Sequence, residues 1–86
     1  MHGPDYVVEL AKTYNRAELT REALEDQIHA VPLSVLQYGV IAFADEFGDE
    51  AAAGFVVAAE LPLVVDADGF WSINEQDERV KDFPPE

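Results

Sequence analysis

Between Glu22 and Glu78 the chain has no lysine and no arginine. Thirteen carboxylates fall in that stretch and account for the whole formal charge of −13, because the five acids and five bases elsewhere cancel. Soluble surfaces normally intermix the two signs, which relieves self-repulsion, so a surface of one sign calls for a positively charged counterpart. The same sign argues against direct contact with nucleic acid or with an anionic membrane surface. Cysteine is absent as well, which excludes a disulfide framework, a thiolate metal site and a thiol nucleophile. Long apolar runs are also missing. The longest uncharged stretch, Gln27 to Ala44, is interrupted by Pro32, Ser34, Gln37 and Gly39 and is too polar to span a bilayer. Residues 1–15 show neither the basic start nor the apolar middle of a secretory signal, so a cytoplasmic protein is expected.

What remains is enough to fold. At 86 residues the chain is one domain, and with 49% apolar residues it can bury a core rather than remain an acidic coil. So short a domain gains only marginal stability from its own burial, which makes a homodimer sharing apolar surface a natural arrangement.

The apolar spacing predicts an α+β fold: a small, mostly helical single domain of three to four helices with a C-terminal β-hairpin. Tyr6, Val7, Leu10, Ala11 and Tyr14 form a stripe of helical period. Pro4 suits the first turn, Asp5 its positive end, and Asn15 the stop. Thr20 is placed as the N-cap of a second helix, with Leu19 and Leu24 as a hydrophobic staple and Pro32 beyond its end. In the third segment, Ser34 and Gln37 have capping-box spacing. Leu36, Val40, Phe43 and Phe47 then recur as one helical face up to Gly48, although Gly39, Val40 and Ile41 also suit a strand. Asp49 is expected to cap a fourth helix, residues 50–60, although Gly54, Phe55, Val56 and Val57 also suit a strand. Leu61 to Val65 and Phe70 to Ile73 flank Asp66-Ala67-Asp68-Gly69, a hairpin pattern with Asp-Gly at the turn. The globular domain is expected to cover residues 1–78, and residues 79–86 to form a flexible tail.

Candidate contact residues follow from the acids. Asp45, Glu46, Asp49 and Glu50 are the densest cluster. Asp45 and Glu46 stand at a helix C-terminus, where the dipole favours cations, so folding alone does not explain them. Glu22, Glu25 and Asp26 share the polar side of the second helix. Asp66, Asp68, Glu75, Asp77 and Glu78 follow the turn. Trp71 is a candidate aromatic anchor, because Phe70 and Trp71 point to opposite faces of a strand and one of them must be covered by something else.

No catalytic or metal site is expected. Asp66, Asp68 and Glu75 fall at the third, fifth and twelfth positions of a calcium loop with Gly69 sixth, but the first position is Val64, which cannot coordinate. His29, the one interior histidine, suits a helix C-terminus. No Ser-His-Asp spacing, phosphate-cradling glycine loop or HExxH is present, and no cofactor is implied.

The composition therefore predicts a non-enzymatic binding protein. Its spaced carboxylates imitate a phosphate backbone, which in duplex DNA carries roughly one charge per 1.7 Å of axis, and its partner is a basic nucleic-acid-binding protein or complex. In size and charge, though through no sequence motif, the chain resembles the small acidic phage and plasmid inhibitors of restriction enzymes and CRISPR effectors. An immunity protein against a basic nuclease toxin has the same composition. The contrasting expectation is an adaptor or structural subunit that works through an apolar or aromatic dimer interface.

Overall fold

Pro4 opens helix α1, Pro4–Asn15, with Asp5 in its first turn and Lys12 in its last. The computed structural model describes residues 3–84. It continues with α2, Arg21–Ile28; α3, Leu33–Phe47; α4, Asp49–Ala58; strands β1, Leu63–Val65, and β2, Trp71–Ile73; and a 3-10 helix, Glu78–Asp82. The fold is α+β, with four α-helices preceding a two-stranded antiparallel hairpin among the described residues.

Local chemistry explains most boundaries. The Thr20 hydroxyl accepts the Ala23 amide at 3.2 Å, the expected cap of α2. The α3–α4 corner turns on Gly48 at φ +96°, a conformation that side chains resist, and its amide returns to the Ala44 carbonyl at 2.7 Å. Two details differ from the sequence reading. The residue capping α3 is Pro32, not Ser34, and no side chain caps that helix. Gln37 instead donates from Nε2 to the Trp71 carbonyl at 2.9 Å, tying α3 to the hairpin. Asp49 is the first residue of α4, and the capping position belongs to Gly48.

The core is built on α3. Leu36, Val40 and Phe43 are buried on its inner face, against Val7, Leu10 and Ala11 of α1 and Ala52, Phe55 and Val56 of α4. Its most extensive packing is with α1. Gly39 permits that approach: a methyl group placed on it would lie 2.5 Å from Val7 Cβ. Leu24 and Ile28 bring α2 into the same core.

The hairpin pairs Leu63 with Ile73, Val64 with Ser72 and Val65 with Trp71. Trp71 is only 4% exposed and belongs to the core, whereas Phe70 is 52% exposed. This corrects the expectation that Trp71 is a contact anchor: alternation parts the two residues, the packing of β2 on α3 covers Trp71, and Phe70 is the neighbour left outside. The Trp71 indole nitrogen is buried with no hydrogen-bond partner among the described residues.

The expected domain end at residue 78 is also corrected. The 3-10 helix carries the chain on to Phe83, which is buried and meets the His29 ring edge to face, centroids 4.9 Å apart. Phe83 belongs to the hydrophobic core, and the His29 ring at the end of α2 packs against it. Residues 85 and 86 of the expected tail lie outside the described residues.

Candidate acidic interface

Four of the five bases decide which acids remain without an ion pair, since Lys81 makes none among the described residues. Lys12 on α1 reaches Glu46 at 3.6 Å and Glu9 at 3.7 Å, and stands 5.8 Å from the centre of the Phe47 ring. Neither α3 nor α4 has a base in its own last turn. Lys12 supplies the charge for α3. Arg21 does so for α4, donating from Nε to the Ala58 carbonyl at 3.1 Å while lying 3.5 Å from Glu25. Cations at these ends offset the dipole and satisfy terminal carbonyls. Arg16 pairs with Glu18 at 3.2 Å. Arg79 grips Asp77, Nη2 to Oδ2 at 2.7 Å and Nε to Oδ1 at 3.1 Å, and the Asp77 carboxylate also accepts the Arg79 amide at 2.9 Å. The Arg79 side chain first, and its amide second, hold the Asp77 carboxyl below its ordinary value of 3.8.

Glu25, Glu46 and Asp77 are therefore tied to bases of the same chain. Asp66 has a task of its own: its Oδ1 accepts the Asp68 and Phe70 amides, each at 2.9 Å, and closes the hairpin turn. Glu22, Asp26, Asp45, Asp49, Glu50, Asp68, Glu75 and Glu78 make no ion pair among the described residues.

The acids do not form one continuous face. The α3–α4 corner displays Asp45, Asp49 and Glu50. The hairpin turn comes up beside it: a methyl group on Gly69 would sit 3.4 Å from Asp49 Oδ2. Asp66 and Asp68, about twenty residues away in sequence, thereby join the 45–50 cluster. Glu22, Glu25 and Asp26 ride on α2, whose Arg21 is bonded to the far end of α4. That end lies about 14 Å along the helix from Asp49, at 1.5 Å per residue. Glu60 follows the same end of α4, and its charge reinforces the protonation of Arg79, behind the larger effect of Asp77. The second acidic region thus contains both Arg21 and Arg79, and the corner is the more strongly negative of the two.

Sequence reasoning missed the long-range bases. Nothing in the spacing of Lys12, Arg21 or Arg79 shows which helix end each will meet. It also missed a cleft of about 280 Å³ between α1 and α4, lined by Ala11, Tyr14, Asn15, Phe43, Glu50, Ala51, Gly54 and Phe55. The stripe of α1 does give Ala11 and Tyr14 a shared face, but the gap opposite them exists because Gly54 has no side chain, and nothing lies within 4 Å of where one would begin.

Among the described residues, no group of three His, Asp or Glu side chains is placed to hold a metal ion, and no helix is long and apolar enough to cross a membrane. Compared with protein-family models, curated proteins and solved structures, the chain matches none.

Proposed function

We propose that the chain is a non-enzymatic binding protein whose corner of Asp45, Asp49, Glu50, Asp66 and Asp68 occupies the basic surface of a nucleic-acid-handling protein. The observation that carries this reading is the approach of the hairpin turn to Asp49. It gathers acids from three elements at one place, while four of the chain's five bases are committed to helix ends and local pairs. Gathering like charges costs folding free energy, and a cationic groove recovers it on binding. A groove shaped for phosphates accepts carboxylates held at similar spacing.

The test is retention of host proteins on the immobilised chain at low and high salt, beside a variant carrying Asp45→Lys, Asp49→Lys and Asp68→Lys. The reading expects basic nucleic-acid-binding proteins to be retained at low salt, released at high salt, and lost with the variant. Equal retention by parent and variant counts against it.

One observation favours an adaptor instead. Val64 and Phe70 lie on the outward face of the hairpin at 46% and 52% exposure, and Tyr38 on α3 is 61% exposed. An interface through these residues is apolar, so its complex persists or tightens in salt. Phe70→Ser separates the two readings, because it removes the apolar contact and leaves every carboxylate in place.

A further inference from the structure

The cleft between α1 and α4 has a floor and a rim of different chemistry. Ala11, Phe43, Ala51 and Phe55 line it with carbon. Tyr14, Asn15 and Glu50 stand among them, and none of their side chains makes a hydrogen bond or ion pair among the described residues. At about 280 Å³ the space falls below the roughly 300–1,000 Å³ of small-molecule sites. It is the size for a single long side chain.

Resting on the reading of a basic partner, we propose that this cleft seats an arginine side chain of that partner. Three features select arginine. The apolar lining matches its methylene stem, which packs on carbon while the head stays polar. The Glu50 carboxylate, the Asn15 amide oxygen and the Tyr14 hydroxyl are acceptors for a guanidinium, which presents five donors in a fixed fork. Tyr14 and Asn15 form the last turn of α1, the negative end of that helix, while Glu50 offsets the positive end of α4. The nearest chain bases are not available to fill the space, since Arg16 is paired with Glu18 and Lys12 with Glu9 and Glu46. A second copy of the chain is a poor donor, because two bodies of charge −13 repel. Glu50 belongs to both the corner and the cleft, so a seated arginine places the rest of the partner's basic surface over Asp45, Asp49 and Asp68.

The probe is N-acetyl-arginine methylamide, titrated into the isotopically labelled chain and followed through backbone amide shifts. Its citrulline counterpart, neutral and of the same shape, and its norleucine counterpart, apolar, are run alongside. The expected result is a saturable shift centred on Asn15, Ala51 and Gly54, at least tenfold weaker for citrulline and for norleucine. Gly54→Leu fills the cleft and abolishes the shift. Glu50→Gln keeps the shape and weakens binding severalfold, while Asp5→Asn, at the opposite end of α1 from Asn15, leaves it unchanged. Norleucine binding as well as arginine overturns the assignment, as does a shift that spreads over all acidic residues without saturating or persists in Gly54→Leu. Those failures leave the corner reading intact, because salt-sensitive retention through Asp45, Asp49 and Asp68 is measured separately. A saturable arginine site in a chain that retains no basic protein removes the corner reading instead.

Discussion

The Lys12 amine, in the last turn of α1, lies 3.6 Å from the Glu46 carboxylate, in the last turn of α3. The pair changes the meaning of the acidic cluster. Glu46 looks unfavourable when α3 is taken alone, because an acid at a helix C-terminus opposes the dipole. With Lys12 above it, that helix end carries a cation borrowed from a neighbour. Asp45, the next residue back, has no such partner among the described residues.

Removing the amine with Lys12→Ala should lower stability by about 0.2–1 kcal/mol, the range for exposed ion pairs. The loss should shrink as salt is added, because both carboxylates that Lys12 meets are largely solvent-exposed. Urea denaturation at two salt concentrations measures it.

Charge reversal should distinguish the two neighbours. Asp45→Lys places a cation at the end of α3 and should raise stability by about 0.3–1 kcal/mol. Glu46→Lys provides the same dipole benefit but faces Lys12 with a like charge, so it should gain less or lose. Thermal melting of the two variants under one buffer condition compares them directly.

The two helical glycines should respond in opposite directions. Gly54→Ala adds a methyl group to open space, so helix propensity alone acts and stability should rise by about 0.8–1 kcal/mol. Gly39→Ala drives the same methyl group into Val7. Overpacking costs about 1–3 kcal/mol and exceeds the propensity gain, so the variant should melt lower. Equal shifts for both substitutions would mean that α1 and α3 are not in close contact at Gly39.

Much of this fold is legible in the sequence. Thr20, Pro4, Pro32 and Gly48 mark helix ends through local chemistry that operates whatever the rest of the chain does. The Asp-Gly turn fixes the hairpin register for the same reason. Trp71 and Phe83 are not legible. Alternation says that Phe70 and Trp71 part, but only the packed helices decide which of the two they cover. Phe83 joins a core whose other members lie far away in sequence, and it meets the ring of His29, fifty-four positions earlier. The acidic composition is plain in the sequence, yet its division into two regions is not, because that depends on where Arg21 and Arg79 land in space.

The Asp77–Arg79 pair should show itself in the acid limb of stability. The Asp77 carboxyl is held below 3.8, chiefly by the Arg79 side chain. A carboxyl depressed in the folded state stabilises fully above its unfolded value, and the contribution is lost as pH falls through the folded value. Asp77→Ala should therefore melt lower than the parent at neutral pH. The difference should close only below the ordinary aspartate range, and melting curves of both proteins from neutral pH down to strong acid should show it. A difference independent of pH would point to the lost cap of the 3-10 helix alone.

The central claim is that carboxylates of this chain stand in for phosphates. Its most direct measurement is competition on a basic protein recovered by the immobilised chain. A short fluorescein-labelled DNA duplex is bound to that protein, and its anisotropy is followed as the unlabelled chain is added at low and at high salt. The account predicts displacement of the duplex, stronger at low salt, and lost when Asp45, Asp49 and Asp68 are changed to lysine. A duplex that stays bound while the chain also binds, at either salt concentration, would contradict it.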